Sequence, residues 1–241
     1  MTHTVEVRSG VELPARRTDI ELHTADGLTL VGELAVPESV PPVATLVTLH
    51  PLPTSGGFMD SHVLRKAAAR LPALADLAVL RFNTRGTSSP RGTSGGSFGH
   101  GTDERLDLDA AMRFVEENNL PHPWLVGWSF GTEVALKYGL EHHIDGAILL
   151  SPPLHRATEA ELGAWATNSV PLVALIPEFD DFLRPAEARE KFSVVPNVEL
   201  VEIAGGKHLW VGENQVKRVL NEIVSHVNPA KAPLPETFEV E

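Results

Sequence analysis

Short apolar and β-branched runs alternate with longer amphipathic segments along most of the chain, and this alternation predicts its elements. Residues 44–49, 78–82, 124–126, 147–150, 172–176 and 198–203 read as strands. Between and after them, residues 63–69, 104–117, 132–140, 186–192 and 216–227 carry apolar positions at helical spacing. Strands that are apolar nearly throughout, each followed by a helix, imply a parallel sheet covered on both faces. Ahead of them, the strand-like residues 20–23 and 28–31 flank Ala25-Asp26-Gly27, whose Asp-Gly pair signals a hairpin. The expected fold is therefore α/β: a mostly parallel, doubly wound, eight-stranded sheet with helices on both faces and an antiparallel N-terminal hairpin.

Composition narrows the partners more than the fold. At 241 residues the chain is long enough for one large domain, expected over residues 1–228. Residues 229–241, rich in proline and acid, are expected to form a mobile tail or a strap over the surface. Against 20 Lys and Arg stand 32 Asp and Glu, a net charge of -12, which disfavours nucleic acid and anionic membranes as partners and leaves small molecules. The absence of cysteine excludes disulfides, thiolate metal sites and a cysteine nucleophile. The opening MTHTVEVRSG lacks the apolar core of a signal peptide, and no apolar run approaches the roughly 20 residues that span a bilayer. A soluble, cytoplasmic protein is the simplest expectation.

In a sheet of this kind ligands bind beyond the carboxyl ends of the strands, so strand-to-helix loops carry the chemistry. The most pointed of them is Gly127-Trp128-Ser129-Phe130-Gly131. Gly-x-Ser-x-Gly between a strand and a helix makes a tight turn that projects the serine at its tip. The N–H of the next residue, Phe130, and the helix N-terminus then favour negative charge beside it. A serine hydroxyl attacks a carbonyl only when a base takes its proton and donors receive the oxyanion, and an acid and then a histidine are expected to follow in chain order. Of the five later histidines, 142 and 143 end a helix and 226 lies within one. His155 is placed on no strand end, whereas His208, in Gly205-Gly206-Lys207-His208 after a strand, sits at the mouth of the sheet.

For the acid, residues 176–185 (IPEFDDFLRP) offer Glu178, Asp180 and Asp181, and neighbouring side chains in extended backbone point to opposite sides. Here the chain resembles the α/β-hydrolase family, whose acid loop commonly reads Gly-x-x-Asp-x-x-x-Pro. Aligned on Pro185, the resemblance implies Asp181 in preference to Asp180, with Glu178 in place of the usual glycine. HPLPTSGG and RFNTRGTSSPRG also resemble a group of small, cap-poor hydrolases with an HPxxxxGG loop. In that loop Pro51 and Pro53 lack an N–H, so Leu52 is the donor that would join Phe130 in an oxyanion hole.

The expected activity is a serine hydrolase that cleaves small acyl esters through an acyl-enzyme formed by Ser129, Asp181 and His208, without metal or cofactor. The alternatives are an acyltransferase or thioesterase, and a noncatalytic binding protein on the same fold. Only residues 151–170 separate two core strands where relatives insert a cap, which leaves room for about one short helix and an open site. His50, Phe58, Met59, Arg85, Leu154, Trp165, Phe182 and Trp210 are candidates for its walls. His50 is also a candidate to orient its own loop, and Arg85 to pair with Asp103 or Glu104.

Overall fold

The computed structural model describes residues 3–240. In chain order the elements are β1 (His3–Glu6), β2 (Arg16–His23), β3 (Thr29–Val36), β4 (Ala44–Leu49), α1 (His62–Ala75) and β5 (Leu77–Phe82). Two short strands, β6 (Ser88–Ser89) and β7 (Gly92–Thr93), precede α2 (Glu104–Glu117), β8 (Pro123–Trp128), α3 (Phe130–Tyr138) and β9 (Gly146–Leu150). The chain closes with α4 (Glu159–Ala166), β10 (Leu172–Pro177), α5 (Pro185–Lys191), β11 (Val198–Ile203), α6 (Glu213–Val227) and β12 (Thr237–Val240).

Eight strands form one sheet in the order β11-β10-β9-β8-β4-β5-β3-β2. The hairpin β2–β3 is antiparallel and joins the sheet antiparallel to β5, while the remaining pairs are parallel. Every residue of β4, β5, β8, β9 and β10 is buried, which explains their mainly apolar sequences; the exceptions in β4 and β5 are Thr45, Thr48 and Arg81. The pleat sends alternate residues to two cores. Leu46, Val79, Val126 and Ile148 pack with α1 and α6 on one face, and Val47, Leu80, Leu125 and Leu149 pack with α2, α3 and α4 on the other. At the edges the pattern loosens: β11 exposes Glu199 and Glu202, and β2 exposes Arg16, Thr18, Asp19 and Glu21.

β4 lies between β5 and β8, so the connections diverge at this strand. The loops leaving β4 and β8 consequently meet at the carboxyl end of the sheet, where a crevice opens in folds of this type. Residues 151–171, which join β9 to β10, contain only the eight-residue α4, started by a capping box between Thr158 and Glu161. Among the described residues no helix is long and apolar enough to cross a membrane.

The segment after α6 is a strap. Leu234 is 7% exposed and packs into the core shared by α1 and α6, its N–H bonds Asn221 Oδ1 at 2.7 Å, and β12 pairs antiparallel with β1. Local pattern marks neither β1 nor β12, because each is stabilised by a partner at the other end of the chain. Leu234→Ala removes a buried side chain and should lower the unfolding free energy by about 2–3 kcal/mol in urea denaturation, with no change in the geometry around Ser129.

Candidate active site

Ser129 sits between β8 and α3 with φ 51 and ψ -114, a conformation that a non-glycine residue holds only when its surroundings enforce it. The flanking glycines allow that enforcement. A Cβ on Gly127 would lie 2.6 Å from the Gly131 carbonyl oxygen, and one on Gly131 would lie 2.0 Å from that of Leu49. The first turn of α3 therefore rests directly on the ends of β8 and β4. Ser129 N–H donates to Leu150 O at 2.9 Å, and Thr132 returns both its N–H and its hydroxyl to Ser129 O.

From the serine a chain of hydrogen bonds crosses to two later loops. Ser129 Oγ lies 2.8 Å from His208 Nε2, and His208 Nδ1 lies 2.9 Å from Asp180 Oδ2. The carboxylate facing His208 is thus Asp180, which corrects the alignment-based choice of Asp181. Asp180 is 2% exposed, whereas the Asp181 side chain faces solvent. The other oxygen of Asp180 accepts from the N–H groups of Phe182 (2.8 Å) and Leu183 (3.1 Å), an Asx-type turn that fixes the carboxylate. Burial alone would raise the Asp180 pKa. The hydrogen bond from His208 and those from the backbone outweigh it and hold the carboxyl below its ordinary value, so it is ionised at neutral pH. An ionised Asp180 receives Nδ1–H, which leaves Nε2 free to accept from the serine hydroxyl.

The histidine loop is tied to the sheet through its backbone. His208 O accepts from Trp128 Nε1 and from Ser151 Oγ, each at 3.1 Å, so the tryptophan beside Ser129 also positions the imidazole. His62 Nε2 approaches Trp210 O at 3.2 Å from α1, and its ring meets Trp128 edge-on at 5.2 Å. Phe182, 49% exposed, stands edge-on to His208 with ring centroids 4.6 Å apart.

Phe130, the first residue of α3, has no helical acceptor for its N–H. Leu52 N–H makes no hydrogen bond within the described residues, while Leu52 O accepts from Ser55 and Gly57 and closes its turn. A groove of about 490 Å³ borders this turn, lined by Pro53, Thr54, Gly57, Phe58, Gly86 and Phe98. Phe98 meets the Phe130 ring at 5.3 Å and joins the groove to the serine turn.

Of the expected wall residues, Phe58 lines this groove, Leu154 lines a hollow between α4 and α5, and Phe182 stands at the rim. The others are buried in structural roles. Trp165 and Trp210 are both fully buried in the two cores, and Met59 is fully buried, with its N–H on Asn83 Oδ1. Arg85 is 4% exposed and bonds Asp107 and Asp26, not Asp103 or Glu104. Burial pushes Asp107 up to about 6 against the opposing bonds from Arg85. Glu104 instead accepts from the N–H groups of Gly99 and Gly101. Glu133, buried in α3, accepts from those of His155 (2.6 Å), Arg156 (3.1 Å) and Ala157 (2.7 Å). Neither role carries a sequence signal, since a glutamate in an amphipathic helix reads as solvated.

No family model matches the chain. It is 26% identical over 156 residues to the uncharacterized protein RP471 of Rickettsia prowazekii, a match that spans 63% of each chain. The strongest likeness is in three dimensions. The chain has the α/β-hydrolase fold. It superposes on XC6422 of Xanthomonas campestris, an α/β serine hydrolase without lid, with a TM-score of 0.73 at 24% identity, over 93% of this chain and 99% of that one. An α/β serine hydrolase homologue from Coxiella burnetii gives 0.73 at 23% identity over 87% and 96%. The Pyrococcus furiosus esterase Pf2001 gives 0.66 at 22% identity over 88% and 93%.

His50 lies behind the Leu52 turn, 1% exposed. Its Nδ1–H donates to Pro51 O at 2.7 Å, and its Nε2 accepts from Thr84 N–H at 3.0 Å, which joins the loops after β4 and β5. Burial, partly opposed by the bond to Pro51, pushes the imidazole down to about 4. Its ordinary value is 6.5, so the unfolded chain takes up this proton first as pH falls. The His50 contribution is fully present above pH 6.5 and is lost as pH falls through about 4, a loss of roughly 3 kcal/mol. Asp107 titrates with the opposite sign between 3.8 and about 6, in wild type and His50 variants alike. Denaturant unfolding from pH 7 to 4 should therefore show a steeper acid loss for wild type than for His50→Asn, the difference being the His50 contribution.

Proposed function

We propose that the protein is a serine hydrolase that cleaves small acyl esters through an acyl-enzyme, with Ser129 as nucleophile, His208 as general base and acid, and Asp180 as the orienting carboxylate. The observation that carries this reading is the continuous Ser129–His208–Asp180 hydrogen-bond chain at 2.8 and 2.9 Å, with the serine held at φ 51 on the helix N-terminus.

As Oγ attacks the carbonyl carbon, His208 Nε2 takes its proton and the carbonyl electron pair moves onto oxygen. The Phe130 and Leu52 N–H groups receive that oxyanion, each worth on the order of 3 kcal/mol in the transition state. Asp180, kept ionised, stabilises the imidazolium without taking its proton. Collapse breaks the bond to the leaving oxygen, which receives the proton from His208. Water then repeats the sequence on the acyl-enzyme, releasing the acid and restoring the serine. The short β9–β10 connection and the half-exposed Phe182 at the rim favour small esters that reach the serine from solvent.

Turnover of short p-nitrophenyl esters should fall by about 10³-fold or more in Ser129→Ala and His208→Ala. Asp180→Asn should lose on the order of 10⁴-fold in kcat, while Asp181→Asn keeps wild-type kinetics. A fluorophosphonate should label Ser129 in the wild type, located by peptide mass spectrometry. Wild-type turnover in Asp180→Asn, or labelling at another serine, would overturn the assignment.

A further inference from the structure

Five arginines are buried or half-buried: Arg17, Arg70, Arg81, Arg85 and Arg156. The first four each have an acidic partner, namely Glu12, Glu213, Glu33 with Asp60, and Asp26 with Asp107. In a chain with 32 acidic residues, Arg156 stands apart. Its guanidinium forms neither an ion pair nor a hydrogen bond among the described residues, and its nitrogens are not among the buried unpartnered atoms, so they remain open to solvent.

Its place is well defined. The guanidinium lies over the Phe130 ring, 5.3 Å from the centroid, and the side chain passes against Gly101. A cation over an aromatic face leaves the N–H edges of the guanidinium free to donate. The backbone of Arg156 is fixed by Glu133, which binds three consecutive N–H groups of residues 155–157. The nearby carboxylates of Glu133 and Glu104 are both committed to backbone N–H groups, and neither comes within 4.0 Å of the guanidinium. An unpaired fork of donors, carried on a fixed backbone, thus stands over the side chain of the residue that follows the nucleophile.

We propose that Arg156 binds a carboxylate carried by the substrate, so that the ester cleaved is one bearing a free acid group, such as a hemiester of a short dicarboxylic acid. This rests on the serine-hydrolase reading above. A guanidinium recognises a carboxylate in a bidentate, charge-assisted geometry that a neutral acyl chain cannot supply. Hydrolysis of such a hemiester by water yields the dicarboxylate and the alcohol.

The test compares monomethyl succinate, glutarate and adipate with methyl esters of monoacids of the same chain length, in wild type, Arg156→Gln and Arg156→Lys. The wild type should favour the hemiesters in kcat/KM by roughly ten- to a hundred-fold, carried mainly by KM. Arg156→Gln should bring that ratio close to one, and Arg156→Lys should restore part of it. Glutarate should raise the melting temperature of the wild type and not that of Arg156→Gln, a readout that needs no turnover. Fluorophosphonate labelling without hemiester preference or a glutarate shift would overturn the Arg156 assignment and leave the hydrolase reading intact. A glutarate shift lost in Arg156→Gln, without labelling of Ser129, would support the anion site and remove the hydrolase reading.

Discussion

The arrangement around Ser129 depends on how closely the first turn of α3 approaches the ends of β8 and β4. With the carbonyl of Leu49 where a Cβ of residue 131 would be, and that of Gly131 where a Cβ of residue 127 would be, the helix can start only if both positions are glycine. That contact leaves Ser129 no relaxed backbone conformation, and the bonds to Leu150 and Thr132 hold it in the strained one. The same geometry leaves Phe130 N–H outside the helical hydrogen-bond ladder and brings Trp128 within reach of His208. One packing constraint therefore sets the serine, a free donor beside it and the support for the imidazole.

A second theme is the use of buried carboxylates as clamps for loops. Glu104 closes the turn at Gly99–Gly101, Glu133 closes the one at His155–Ala157, and Asp180 closes its own. Arg85 is gripped between Asp107 and Asp26, and Arg81 between Glu33 and Asp60, with Arg91 bridging Asp19, Glu33 and Asp60. Removing one member of such a buried pair strands the other and typically costs about 3–5 kcal/mol. Five of the 32 acidic residues, Glu33, Glu104, Asp107, Glu133 and Asp180, are thus held inside the protein, each on backbone N–H groups, an arginine or a histidine.

The strands of the sheet and most helices were legible because each has its own periodicity, and the Asp-Gly hairpin because its turn chemistry is local. Only the lengths differed: the hairpin strands run to Arg16 and Val36, beyond the reach of the alternating pattern. The carboxylate that faces His208 lies one residue before the one the alignment implies. Alternation states that Asp180 and Asp181 face opposite ways, but which one faces inward is set by a turn in which Asp180 N–H bonds Pro177 O and its side chain caps Phe182 and Leu183. Counting back from Pro185 carries no information about that turn. Trp165, Trp210 and Met59 look like wall residues in sequence because large apolar side chains serve walls and cores alike. Trp165 and Trp210 are buried in cores assembled from elements far along the chain, and Met59 is buried with its N–H held by Asn83.

The connection between β9 and β10 holds a single eight-residue helix where a larger insertion would have to swing aside. A site behind a moving cover is competent for only part of the time, and its apparent affinity is weakened by that fraction. A connection this short holds no such cover, so no fraction of that kind is lost. His208 itself is buried, so the field at the serine comes from groups already aligned by the fold, with no cover needed to assemble them.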